Sequence, residues 1–206
     1  MQIRNTRERW GAVQQTAHWL VVILVIAQLV VGFIFADYPS TSPTWIELFP
    51  VHTTLGLSIL ILMLLRLGWR GANPVPSLPD TLPRWQQVAA RATHWLFYLL
   101  LILVPIGGYV LVSAGGKPIP FFGWELPPVI PKTPSLNSPI FILHATGAWV
   151  VAVLIVLHAG AALRHEWVLR DNTLRHMVPF LRERPASAAK SERGADAPPH
   201  GGTTTS

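Results

Sequence analysis

An all-α membrane protein, with four transmembrane helices packed as a bundle, is the fold class this sequence predicts, on three observations. Half of its 206 residues are apolar and only 13% are charged, about half the charged share usual in a soluble domain. The apolar residues fall into four long runs, each able to cross a hydrocarbon core of about 30 Å, which takes roughly 20 helical residues. Stretches rich in Pro and Gly separate the runs, as loops do.

The first run, Ala12–Ala36, has no small-residue cleavage site after it and reads as a span, not as a removable signal. The second, Val51–Trp69, is the shortest and ends in Leu-Leu-Arg-Leu-Gly-Trp-Arg. The third, Val88–Ser113, carries Pro105 in its interior, which predicts a kink that membrane helices tolerate. The fourth is Pro139–Leu163. Between them, Tyr38 to Pro50, Gly71 to Pro83 and Gly115 to Pro139 read as loops. Residues 1–180 make one transmembrane domain. Residues 181–206 are poor in bulky apolar groups and read as a disordered cytoplasmic tail without chemistry.

Fourteen of the sixteen Lys and Arg residues lie before the first run, from the end of the second to the start of the third, or after the fourth. Only Lys117 and Lys132 lie on the other side. The positive-inside rule then places both termini in the cytoplasm and the other two loops, in a bacterium, in the periplasm. The net charge of +6 suits an anionic membrane surface in a chain with aromatic-flanked apolar spans, so membrane lipid is the expected partner and nucleic acid is not. No cysteine is present. That excludes disulfides, iron–sulfur clusters, thiolate zinc sites and covalent c-type haem.

Five of the eight histidines, His18, His52, His94, His144 and His158, sit inside or at the ends of the four spans. A single intramembrane histidine is commonly a helix–helix hydrogen bonder. Five in one small bundle, with every helix contributing, point to function. His144 and His158 are fourteen residues apart, close to four full turns and roughly 21 Å, so both leave one face at two depths. His52 shares the depth of His144, and His18 that of His158. Two pairs of neutral imidazoles facing each other across a bundle core suit two six-coordinate b-type haems. Zinc, which needs three or four ligands at one point, does not fit two distant pairs.

The same fourteen-residue step leads from His18 to Gly32, from His94 to Gly108 and from His52 to Arg66. Glycines at these depths, with Gly56, Gly107 and Gly147, leave room for a flat macrocycle, or else let helices pack closely. Arg66 is placed to pair with a haem propionate or to snorkel as a cytoplasmic anchor. His94 lies at cytoplasmic haem depth beside Arg91. It is a substitute ligand for His18, a quinone-site residue or a propionate partner, with His18 the preferred ligand. His165 and His176 read as surface residues, and His200 as part of the tail.

From Arg9 to Pro179 the chain resembles the bacterial cytochrome b561 family, related to the cytochrome b subunits of nickel-hydrogenases and formate dehydrogenases. The resemblance rests on Gln15-Thr-Ala-His-Trp-Leu, His52-Thr-Thr-Leu-Gly, Leu64-Leu-Arg-Leu-Gly-Trp-Arg, Thr93-His-Trp-Leu-Phe-Tyr-Leu-Leu and Pro105-Ile-Gly-Gly. Its most distinctive part runs from His144-Ala-Thr-Gly to Leu157-His-Ala-Gly-Ala-Ala-Leu-Arg-His and Asp171-Asn-Thr-Leu-Arg-His-Met-Val-Pro. It implies a four-helix di-haem bundle in the bacterial inner membrane, moving electrons between membrane quinone and a periplasmic partner or small oxidant. Carried over by position, His18 and His158 ligate the cytoplasmic haem and His52 and His144 the periplasmic one. The resemblance also implies an oxidoreductase that oxidises superoxide and reduces ubiquinone. Lys117 or Lys132 would guide the superoxide and His94 would transfer a proton. Two other readings stand beside it. One is a haem-b anchor subunit linking a peripheral dehydrogenase to the quinone pool, and the other is a haem-free transporter or membrane scaffold using histidines as proton sites.

Overall fold

The computed structural model describes residues 2–7, 9–77, 82–170 and 172–178. The expected boundary at residue 180, the tail and His200 lie outside them. Four helices follow in order, α1 Ala12–Ala36, α2 Pro43–Ala72, α3 Arg84–Ala114 and α4 Asn137–Arg164. All four are long and apolar enough to cross a membrane. By contact pattern the chain divides after His158, within α4, into two compact units.

The first helix starts where the sequence predicts, and the chain before it folds back to satisfy its free N–H groups. Ala12 N–H donates to Gln2 O at 2.9 Å, and Gly11 N–H donates to Asn5 Oδ1 at 2.9 Å. A side chain at Gly11 would strike the backbone of Ile3 and Arg4, so this return requires glycine there.

Helix α2 corrects the expected loop from Tyr38 to Pro50, since it begins eight residues before Val51. Ser42 Oγ caps it by accepting from Trp45 N–H at 3.2 Å, and Pro43 occupies the first turn, where its missing N–H costs nothing. Pro50 therefore lies inside a helix instead of ending a loop. Its missing N–H falls near the helix end, two turns from Pro43, where a lost helical hydrogen bond disturbs the span least. Helix α3 likewise starts earlier, directly after Pro83, and runs unbroken through Pro105.

The segment from Gly115 to Pro139, read as plain loop, holds a short hairpin of β1 Ile119–Phe121 and β2 Trp124–Leu126. Phe122 and Gly123 close it with φ of 48° and 83°, the two positive values a two-residue turn of this hand needs. The hairpin is tied to α2: Thr53 Oγ1 lies 2.8 Å from Pro120 O, and Thr54 Oγ1 accepts from Phe122 N–H at 3.4 Å. A 3-10 turn over Pro134–Leu136 leads into α4.

The buried core is contributed by all four helices: Val21 and Val25, Ile59 and Met63, Tyr98 and Leu101, and Val151. Val25, Ile59, Leu101 and Val151 each follow a histidine of their own helix by seven residues. Seven residues is about two turns, or roughly 10.5 Å. The core is therefore a layer midway between the two histidine depths, on the same helix faces. Outward positions such as Ile23, Leu65, Leu143 and Val156 are largely exposed, as side chains facing lipid are. From Ala159 on, α4 ends in a single π-helical turn, His165–Leu169. There the buried Glu166 is gripped by Arg175, with Nη2 2.6 Å from Oε1. His165 and His176, expected at the surface, are half-buried.

Candidate functional site

Helical spacing brings the five intramembrane histidines together at two levels. At one, the rings of His52 on α2 and His144 on α4 lie 6.1 Å apart between centroids, with their planes at 70°. At the other, His18 on α1 and His158 on α4 are 6.4 Å apart at 74°. His144 and His158 thus face the bundle from one side of their helix. His94 on α3 joins the second level, 5.7 Å from His158.

These separations can be set against what a haem requires. A metal–imidazole bond of about 2 Å, with roughly 1.1 Å from nitrogen to ring centre, would put two opposed imidazoles about 6.2 Å apart. The His52–His144 and His18–His158 pairs bracket that figure, while His94–His158 is shorter. Among the described residues no three His, Cys, Asp or Glu side chains converge on one point. Pairs are what remain, and a pair completes an iron that brings its own four equatorial nitrogens.

At the first level the surroundings favour the same use. His144 Nδ1 lies 3.0 Å from Val104 O. A carbonyl only accepts, so the proton is on Nδ1 and the lone pair on Nε2, the arrangement typical of a metal-binding histidine. His52 Nε2 is 3.2 Å from the side-chain nitrogen of Gln28. His52 Nδ1 and Gln28 Oε1 are buried with no partner, a state few buried polar groups adopt and one that a bound group in the cavity would relieve. Both histidines line a cavity of about 500 Å³ that also reaches Phe35, Trp45 and Lys117. This volume, with its ring pair and apolar walls, fits a haem.

Three of the expected glycine gaps are filled by this machinery. A Cβ on Gly32 would lie 3.0 Å from His52 Cε1, one on Gly108 2.9 Å from His144 Cε1, and one on Gly56 3.1 Å from Gln28 Nε2. Gly147 differs: its open side is occupied by Val104, so close helix packing explains it. Gly107 faces nothing within 4 Å and makes no gap at the site.

At the second level Arg66 Nη2 is 3.4 Å from His18 Nδ1, and its guanidinium lies 5.7 Å from the centre of the Tyr98 ring. Arg66 Nε and Tyr98 OH are both buried without a hydrogen-bond partner. A guanidinium Nε–H and a hydroxyl left unsatisfied beside two imidazoles suit an anionic group such as a carboxylate. Sequence reasoning missed Gln28, Tyr98 and Asn137. Gln28 carried a signal, as a polar residue in mid-span four positions before Gly32, on the same face. Tyr98 stands one turn after His94.

Four apolar helices with paired imidazoles in their interior define a membrane cytochrome b. Comparison with known proteins makes this specific. The family model described as prokaryotic cytochrome b561 matches residues 9–180, and the chain belongs to that family. It is 34% identical to cytochrome b561 homolog 2 of Escherichia coli (strain K12), over 86% of this chain and 95% of the relative. It is 29% identical to cytochrome b561 homolog 1 of the same strain, over 83% and 97%. It is 30% identical to the probable superoxide oxidase CybB of Yersinia pestis, over 85% and 98%. The protein is accordingly a multi-pass bacterial membrane protein that transfers electrons by means of b-type haem.

Proposed function

We propose that this chain is an oxidoreductase that uses two b haems, one at each histidine level, to pass electrons from a donor outside the cell membrane to quinone within it. The observation that carries the reading is the pair of imidazole couples at two depths, 6.1 and 6.4 Å between rings. His52 and His144 would hold one haem, and His18 and His158 the other. The haems supply reversible one-electron chemistry, and the protein sets position and potential.

The distribution of Lys and Arg favours cytoplasmic termini, which puts the hairpin end and its cavity on the periplasmic face. Superoxide is the proposed donor, since a relative at 30% identity bears the name of a superoxide oxidase. Two superoxide ions give two dioxygen molecules and two electrons, and a quinone takes these with two protons to become quinol. Lys117 lines the cavity at that end, whereas the stem of Lys132 packs against Gly116. Arg66 and Tyr98 would hold the acidic edge of the haem at the cytoplasmic level. His94, third imidazole at that level, is placed to hand a proton to quinone.

Purified protein should show a Soret band, a reduced α band and two haems per chain, and should reduce added quinone when superoxide is generated. Absence of both bands would end the electron-transfer reading. Two haems with no response to superoxide, together with a co-purifying dehydrogenase, would make the chain an anchor subunit.

A further inference from the structure

The cavity at the His52–His144 level is walled by aromatic side chains, and Lys117 and Asn137 are among its polar lining residues. Lys117 is exposed, yet its ammonium lies 5.2 Å from the centre of the Trp45 ring. Trp45 in turn stacks on Phe49 at 4.5 Å, nearly parallel at 9°. Trp45 and Phe49 both line the cavity, so the cation–π contact holds a flexible side chain over the space instead of in solvent. Among the described residues Lys117 has no carboxylate partner.

Asn137, the first residue of α4, also lines this cavity. Its Oδ1 is buried without a hydrogen-bond partner. Oxygen and nitrogen of an amide are interchangeable by a half turn, so the same position offers two N–H donors to an acceptor in the cavity. Of the other polar groups there, Tyr109 OH donates to Pro127 O at 2.8 Å, Thr53 Oγ1 lies against Pro120 O, and Gln28 is turned to the His52 ring. One fixed cation and one unsatisfied amide, set on a cavity of apolar walls, complement a flat apolar body that carries acidic arms.

We propose that Lys117 and Asn137 form a carboxylate clamp on this cavity, taking the propionates of the haem held by His52 and His144. The inference rests on the haem reading above and adds the residues that fix which way the macrocycle faces. The shared chemistry is an anionic oxygen, whose other source is a small anion arriving from the aqueous phase.

The test uses the full-length, haem-loaded protein with Lys117→Gln, Lys117→Arg and Asn137→Leu. Haem release to a haem-free globin and a redox titration resolving both haems are the readouts, with the rate of reaction with superoxide measured alongside. Lys117→Gln should speed release of one haem about tenfold or more, the factor a charge-assisted hydrogen bond carries. The potential of that same haem should fall, because a removed cation favours the ferric form, while the other haem stays unchanged. Lys117→Arg should restore both properties, and Asn137→Leu should speed release of the same haem. Unchanged release and potentials in Lys117→Gln and Asn137→Leu would overturn the clamp. In that case a slowed superoxide reaction would assign the lysine to the free anion, and no change of any kind would mean that it binds none. Wild-type protein without haem would overturn the proposed function instead, so the two failures are distinguishable.

Discussion

Replacing Gly108 by alanine tests the proposed haem pocket with a single methyl group. The new Cβ would lie 2.9 Å from His144 Cε1 and 3.2 Å from its Nδ1, whereas carbon atoms rest at about 3.5–4.0 Å. The ring must yield by roughly half an ångström to an ångström, and its 3.0 Å bond to Val104 O is what holds it in place. Overpacking of this size costs about 1–3 kcal/mol, and the weakened hydrogen bond roughly 1 kcal/mol more. A net loss of about 2–4 kcal/mol would fall on the haem at this level, roughly 30- to 800-fold in its retention. Haem-to-protein ratio and haem release in detergent measure it, with a fall from two haems toward one expected. Gly107→Ala is the internal control, because a Cβ there meets nothing within 4 Å. If Gly108→Ala holds haem as firmly as Gly107→Ala, His144 is not an axial ligand in the position described.

Three further outcomes are expected. His18→Ala should lose one haem and His94→Ala should keep both by the same ratio; the reverse pattern would make His94 the partner of His158. Arg66→Ala should lower the potential of the His18–His158 haem alone, with Arg66→Lys intermediate because it lacks the planar fork, and redox titration separates the two haems. Ile59→Ala, at a side chain 2% exposed in the middle layer, should cost about 2–5 kcal/mol. It should lower the thermal midpoint in detergent while leaving haem content at two in the cold.

Much of this architecture could be read from the chain because the bilayer leaves few options. Every backbone polar group must be satisfied within the span, so a long apolar run is a helix. The span Ala12–Ala36 is the clearest instance. The fourteen-residue step worked for the same reason: a fixed rise and turn place His144 and His158 before their partners. Outside the spans the reading weakened. The prolines of the stretch from Tyr38 to Pro50 make it read as loop, although Ser42 and Pro43 spell a helix start. The hairpin escaped notice because its turn is Phe122-Gly123, with a bulky residue at a positive φ in place of the usual Asn or Asp. The glycines show the limit most clearly. Gly107 and Gly108 are neighbours of identical type, and only coordinates tell that one faces His144 and the other faces nothing.

The aliphatic layer of Val25, Ile59, Leu101 and Val151 has a consequence for bioenergetics. Its side chains offer protons no foothold midway between the histidine levels, so charge crossing there would go uncompensated. Roughly 21 Å of a hydrocarbon core of about 30 Å separates those levels. An electron shared between them should feel some two-thirds of the membrane field, about 1.5 kcal/mol per 100 mV. We predict that in sealed vesicles an imposed diffusion potential redistributes reducing equivalents between the haems. A ratio indifferent to voltage would show that water or ions cross the layer.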